Sequence, residues 1–335
     1  MAGKCAAFLW MLVIPTICPA DSTTSVVVTL SANATSTEIQ QALAGLPESG
    51  GEVRLPPGNF EVCQPIVLRR DYQTLRGSGV ETVLRLADNA NCPVVIMGEP
   101  VNHPTKTIKQ LCVSDLFIDG NRAHQQRELW RLQGEGSEIR NNGIQVQGVS
   151  DSTVENVVCA RCRSGGLVTT RGVQRLVVKS LNAFDNEFDG LACYQTMDSV
   201  FTKLYLHNNP GAGISLDLAF NHNTISNALL TGNDLGIFMR ASRDNQFHNI
   251  TIRGSRHFGV FMAHAERQTE RGWQPTPQTE CTDNAFTNLT AVRCGGPAFC
   301  VNNSTCTNNI INGAQFENGV QNGHALASAD LMTVQ

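Results

Sequence analysis

The chain has 335 residues, 41% of them hydrophobic and 16% charged, with a formal net charge of -4. Apolar content of that order supports a buried core, while a slightly acidic chain without a Lys/Arg-rich face excludes nucleic acid as the expected partner. Glycine and asparagine are frequent and helix-favouring stretches are scarce past the N-terminus, which predicts many short strands joined by tight turns.

Residues 1–20 read as an export signal. Lys4 supplies the positive start, Ala6 to Ile17 an apolar run, and Cys18-Pro19-Ala20 a small-residue cleavage site. The run is short for a bilayer span and nothing later is longer, so no retained membrane span is expected and the protein is read as secreted or periplasmic. Of twelve cysteines, Cys5 and Cys18 leave with the signal; the remaining ten permit disulfides, expected first in the cluster Cys281, Cys294, Cys300 and Cys306. Cys159-x-x-Cys162 has no second pair to complete a zinc site, so no metal and no cofactor is assigned.

Thr35-x-x-Glu38 ahead of Ile39, Ala42 and Leu43 is a capping-box pattern and predicts a short helix. Strands are predicted at Val53–Leu55, Phe60–Val62 and Ile66–Leu68. A polar excursion follows near 122–141, after the turn signature Asp119-Gly120-Asn121; it carries Arg122, His124, Arg127, Glu128 and Arg131.

From Gly143 a pattern recurs. Gly143, Gly166, Gly190, Gly213, Gly236 and Gly259 are spaced by 23, 24, 23, 23 and 23 residues, and each opens a short run whose first and third following residues are mainly apolar. A second run follows each, as in Val154–Val157, Phe201–Leu204, Ile225–Ala228 and Phe247–Ile250. Period-two alternation at a constant interval predicts stacked strands, since a helical repeat needs three- and four-residue spacing. Asp244–Ile250 returns as Asp283–Leu289 after 39 residues, which places a surface insertion near 265–280; a partial unit follows at Ile310–Asn312. The prediction is an all-β, right-handed parallel β-helix over residues 21–323, closed at its N-terminal end by the short helix, with a C-terminal tail at 324–335.

In such a solenoid, equivalent residues on adjacent rungs lie about 4.8 Å apart. The fourth residue after each glycine forms a column predicted to face outward: Gln147, Thr170, Tyr194, Asp217, Arg240 and Ala263. The second-residue column ends in Phe238 and Phe261, with Arg171 and His264 one residue beyond the fourth. A phenol, a carboxylate and a guanidinium on consecutive rungs suit an acidic sugar chain. Arg240 or Arg171 would neutralise a uronate carboxylate, Tyr194 or His264 would move the proton beside it, and Asp217 would orient its neighbours. Tyr194, Asp217, Arg240 and His264 are thus the candidate catalytic residues, and Arg171, Phe238, Phe261 and Asp189 the candidate substrate-binding ones. As surface features alone, the same residues amount to an exposed ion pair and a strand aromatic. Asn-x-Ser/Thr sequons begin at Asn33, Asn249, Asn288, Asn302 and Asn303.

The runs GGEVRLPPGNFEV, LRGSGVETVLRL and FIDGNR resemble the opening rungs of the pectin-lyase-like β-helix superfamily, which implies the fold and leaves open lyases, hydrolases, epimerases and phage tailspikes. Asp189-Gly190 with Asp198-Ser199-Val200-Phe201 resembles the catalytic module of secreted mannuronan C5-epimerases over about fifty residues. That family's Tyr-Gly-Phe-Asp-Pro-His is replaced by Gly165-Gly166-Leu167-Val168-Thr169-Thr170, and its Arg-His-Gly by Pro210-Gly211-Ala212 before Gly213; Arg256-His257-Phe258-Gly259 is a similar string two rungs later. Three functions are therefore expected: C5 proton abstraction on an acidic polysaccharide as lyase or epimerase, glycoside hydrolysis by carboxylates such as Asp185, Asp189 and Asp217, or sugar binding without catalysis.

Overall fold

The computed structural model describes residues 26–126, 139–265, 278–321 and 326–333. The segment read as an export signal and the central parts of both excursions lie outside the described residues. Each regular coil gives one strand to each of three parallel sheets, a wide one of fourteen strands, a second of ten and a narrow one of six. One coil runs through Val200–His207, Ala212–Asp217 and Phe220–Asn221 before Thr224–Thr231 returns to the wide sheet. This is the predicted parallel β-helix.

The register follows the glycine period. In the ten-stranded sheet Ile144 lies beside Leu167, and the column continues through Leu191, Ile214, Ile237 and Val260 to Phe299. These residues point inward and are buried. A glycine precedes each of them except Phe299, which follows Ala298, and close approach explains it at several rungs. A Cβ on Gly166 would sit 2.6 Å from the Gly190 carbonyl oxygen, and one on Gly236 would sit 2.4 Å from that of Gly259.

The second run of each repeat is only half of its strand. Wide-sheet strands such as Val200–His207, Thr224–Thr231 and Gln246–Arg253 are eight residues long. Their fourth residue is left-handed, with φ of 57° at Lys203 and 54° at Asn227 and Asn249. The kink shifts the alternation, so Phe201, Leu204 and Leu206 all enter the core where strict period two would send Leu204 outward.

Two buried asparagine ladders brace the corners. Asn186 donates through N and Nδ2 to Asn209 Oδ1 (3.1 Å each), and Asn209 repeats the contact to Asn233 at 3.0 and 2.9 Å. Across the coil, Asn223, Asn245, Asn284 and Asn309 form the same chain. Each side chain bonds both backbone and neighbour, so polar groups at tight corners are satisfied without water.

The helix Ser36–Gly45 covers the N-terminal opening, as predicted. Thr35 and Glu38 complete the capping box, Ile39 and Leu43 are buried, and Arg70 Nη2 caps the other end by donating to the Ala44 and Leu46 carbonyls at 2.9 and 2.8 Å. At the insertion, Gln246–Arg253 pairs in register with Ala285–Val292, and Ala265 N meets Thr279 O at 2.7 Å where the excursion leaves and returns. The C-terminal end departs from the expected tail: Leu326–Thr333 is a strand paired with Asn309–Phe316, because the latter otherwise presents an open edge.

Candidate functional site

The fourth-residue column is in register, with Tyr194 beside Asp217 and Arg240 beside Ala263. It is not the open surface column expected from alternation. Gln147, Thr170 and Asp217 are buried, and Tyr194 and Arg240 are half-buried. Earlier parts of the chain lie over the strand ends: Gln147 Nε2 donates to the carbonyl of Val101 at 2.7 Å, and Asn142 Nδ2 to Gln145 Oε1 at 2.6 Å.

Asp217 and Arg240 form a closed unit. Asp217 Oδ1 accepts from Leu218 N at 2.8 Å, and Oδ2 accepts from Arg240 Nε at 2.9 Å and from its Nη2. The guanidinium also lies 5.2 Å from the Phe238 ring centre. Burial raises the Asp217 carboxyl above the ordinary carboxylate range, and the neighbouring guanidinium acts in the opposite direction. Arg240 therefore supports the fold. Arg240→Ala is expected to destabilise the protein by about 1–3 kcal/mol at neutral pH, because it strands a buried carboxylate. Asp217→Asn in the same chain should recover much of that loss in urea unfolding.

The Tyr194 ring borders a cleft of about 110 Å³ together with Arg140, Gln145, Thr170, Phe188 and Asp189. Asp189 Oδ1 accepts from Ala212 N at 2.7 Å, and burial raises its carboxyl to about 6 despite that bond and the Arg140 charge. Burial, then the Asp189 charge, pushes the Tyr194 phenol well above its ordinary value, while Arg140 and a hydrogen bond with Ser215 act in the opposite direction. The cleft thus brings together a guanidinium, a carboxyl that titrates near neutrality and a phenol that keeps its proton. Arg140, Asn142 and Gln145 were missing from the sequence assignment. The available signals were polar residues at outward positions of the first regular rung and an arginine ending an excursion.

The remaining candidates lie outside this cleft, on other rungs of the solenoid. Arg171 stands one rung before Tyr194 at a left-handed corner (φ 62°), and its partial burial disfavours the charged form. Phe238 and Phe261 stack in parallel, 6.0 Å between ring centres and 4° between planes, and Phe258 adds a tilted ring at 5.1 Å from Phe261. His264 is not brought to Tyr194. It lies three rungs away, about 14 Å along the axis, where its Nδ1 is 3.8 Å from Glu280 Oε1. Asp119, in the turn signature, pairs with Arg85 and Arg161 and serves the scaffold. No disulfide joins the ten described cysteines.

The chain matches the family model described as "Right handed beta helix region" over residues 107–252 and 207–335, and it belongs to that family. Its fold is the pectin-lyase-like β-helix. Three solved structures are similar. The mannuronan C-5 epimerase AlgE4 A-module of Azotobacter vinelandii is 15% identical with a TM-score of 0.50, the match covering 90% of this chain and 97% of that one. The family 28 exopolygalacturonase of Yersinia enterocolitica is 12% identical with a TM-score of 0.60, covering 83% and 68%. The alginate lyase of a Paenibacillus species is 12% identical with a TM-score of 0.55, covering 91% and 98%. At such identities the likeness establishes the fold. The search of curated proteins gave no match.

Proposed function

We propose that this protein is an exported carbohydrate-active enzyme that removes the C5 proton of a uronate residue in an acidic polysaccharide, as a lyase or an epimerase. The reading rests on the cleft in which Arg140, Asp189 and Tyr194 meet. The C5 proton of a uronate is alpha to a carboxylate, so removing it builds charge on that group. Arg140 neutralises the carboxylate with parallel donors and stabilises the developing enolate. Asp189 is ionised above a pH of about 6 and accepts the proton. Tyr194, held protonated by burial, supplies a proton to the opposite face of C5 in an epimerase or to the departing glycosidic oxygen in a lyase.

The rungs beyond the cleft fit a polymer. Phe238 and Phe261 lie two and three rungs beyond Tyr194 and offer flat apolar faces to neighbouring sugar rings. That an epimerase, a lyase and a hydrolase share the fold supports a carbohydrate substrate. Hydrolysis is less well served, because it requires two available carboxyl groups and both Asp217 oxygens are engaged.

The test is incubation with a panel of polyuronates and neutral glucans, read by absorbance of unsaturated ends, by reducing ends and by NMR of the uronate configuration. Unsaturated ends or C5 inversion, on polyuronates alone, is the expected outcome. Reducing ends without either change, or binding without any product, contradicts the proposal.

A further inference from the structure

Cys281 and Cys306 stand at corners of successive coils and are both buried. Asp283 N donates to the Thr307 carbonyl at 3.3 Å and Asn309 Nδ2 to the Cys281 carbonyl at 3.0 Å, so the two cysteines occupy equivalent places on adjacent coils, with Cys281 Sγ 3.6 Å from the Ala263 carbonyl. The chain between them makes one full coil, through Ala285–Val292 and Phe299–Val301. That coil stacks on the one carrying Phe261: Phe299 packs edge-on against Phe286 at 5.2 Å, and its strand pairs with the Phe261 strand. Cys281 also follows closely on the point where the excursion rejoins the solenoid beside His264 and Glu280.

We propose that Cys281 and Cys306 form a structural disulfide in the exported protein, closing one coil into a covalent ring next to the coil that carries Phe261. Their equivalent places on adjacent, buried coils, about 4.8 Å apart in such a stack and within the reach of a disulfide, are the observation that carries it. Their chemistry supports the order of events. The neighbouring Cys281 thiol holds Cys306 below the ordinary thiol value, whereas burial pushes Cys281 well above it. Cys306 is therefore the better source of thiolate. It attacks one sulfur of a small disulfide oxidant such as glutathione disulfide, giving a mixed disulfide and one released thiolate. Cys281, after losing its proton, displaces the second glutathione thiolate. The protein loses two electrons and two protons in total, and the oxidant becomes two thiols. Cys294 is the internal contrast, because its Sγ is oriented to the Val292 carbonyl at 3.8 Å.

The experiment equilibrates the purified full-length chain with a glutathione buffer dominated by the disulfide form. The chain is then denatured, alkylated without reduction and mapped by mass spectrometry. A Cys281–Cys306 cross-linked peptide with alkylated Cys294 is the expected result. Alkylation of both Cys281 and Cys306, or linkage of either to a different cysteine, overturns the proposal. Thermal unfolding gives a second readout: reduction should lower the wild-type midpoint by roughly 5–10 °C and leave Cys306→Ser unchanged. An equal response to reductant in the two proteins would also overturn it.

Discussion

Asp189→Asn is expected to lower turnover sharply on the polyuronate that the wild type converts, while stabilising the folded protein above pH 6. Asp189 has its carboxyl raised from an ordinary 3.8 to about 6, chiefly by burial. The folded state thus holds this proton more tightly than the unfolded chain. That advantage is complete below a pH of about 4 and is lost as pH rises through 6, above which a buried charge burdens the fold. Asparagine retains an acceptor for Ala212 N and carries no charge. Because the side chain is only half-buried, the gain at pH 8 should be about 1–2 kcal/mol, vanishing near pH 4. Turnover should fall by about 10²–10⁴, the usual contribution of a positioned base. Urea unfolding at the two pH values and product assays on one preparation test both parts. Wild-type turnover should also rise with pH through about 6, following ionisation of Asp189.

The largest effect on stability is expected from Asn209→Ala. The Asn209 side chain accepts from Asn186 N and Nδ2 and donates to the Asn233 amide oxygen (2.9 Å) and the Ala183 carbonyl (3.2 Å), all within the core. Alanine leaves the Asn186 donors and the Ala183 oxygen buried without these partners. At about 1–3 kcal/mol for each stranded polar group, partly relieved by relaxation, the loss should be about 3–5 kcal/mol. Asn249→Asp provides the contrast, since aspartate also tolerates the left-handed backbone there but cannot donate. Asn249 makes a similar bond to Asn227 (3.2 Å) on the exposed face of the wide sheet, where water replaces it, and its removal should cost within about 0.5 kcal/mol. Circular dichroism in urea distinguishes the two variants, and equal losses would contradict the role assigned to the buried ladder.

These residues also mark what could be read from the sequence. Gly143 to Gly259 and the aliphatic residues after them revealed the coil length and the inward face, because close backbone approach and burial repeat at one interval. The left-handed residue in each wide strand was hidden, since Ser180, Lys203 and Asn227 share a conformation and no side-chain chemistry. The ladder asparagines were visible only as an abundance of asparagine: their burial depends on corners that the pattern does not describe. The column Tyr194, Asp217 and Arg240 was in register as read. Its burial was not legible, because the segment that borders Tyr194 at Arg140 and Asn142, like the Val101 segment over Gln147 earlier in the column, carries no periodic signal. The proposed chemistry accordingly rests on Arg140 and Asp189 rather than on Asp217 and His264.

Abstraction of the C5 proton is tested most directly with a polyuronate deuterated at C5. During turnover by the wild type, deuterium should appear in the solvent in step with product, the reaction should be slower than with the protiated polymer, and Asp189→Asn should release it far more slowly. Product formed with deuterium fully retained at C5 would show that this bond is never broken, and the account of the cleft would be wrong.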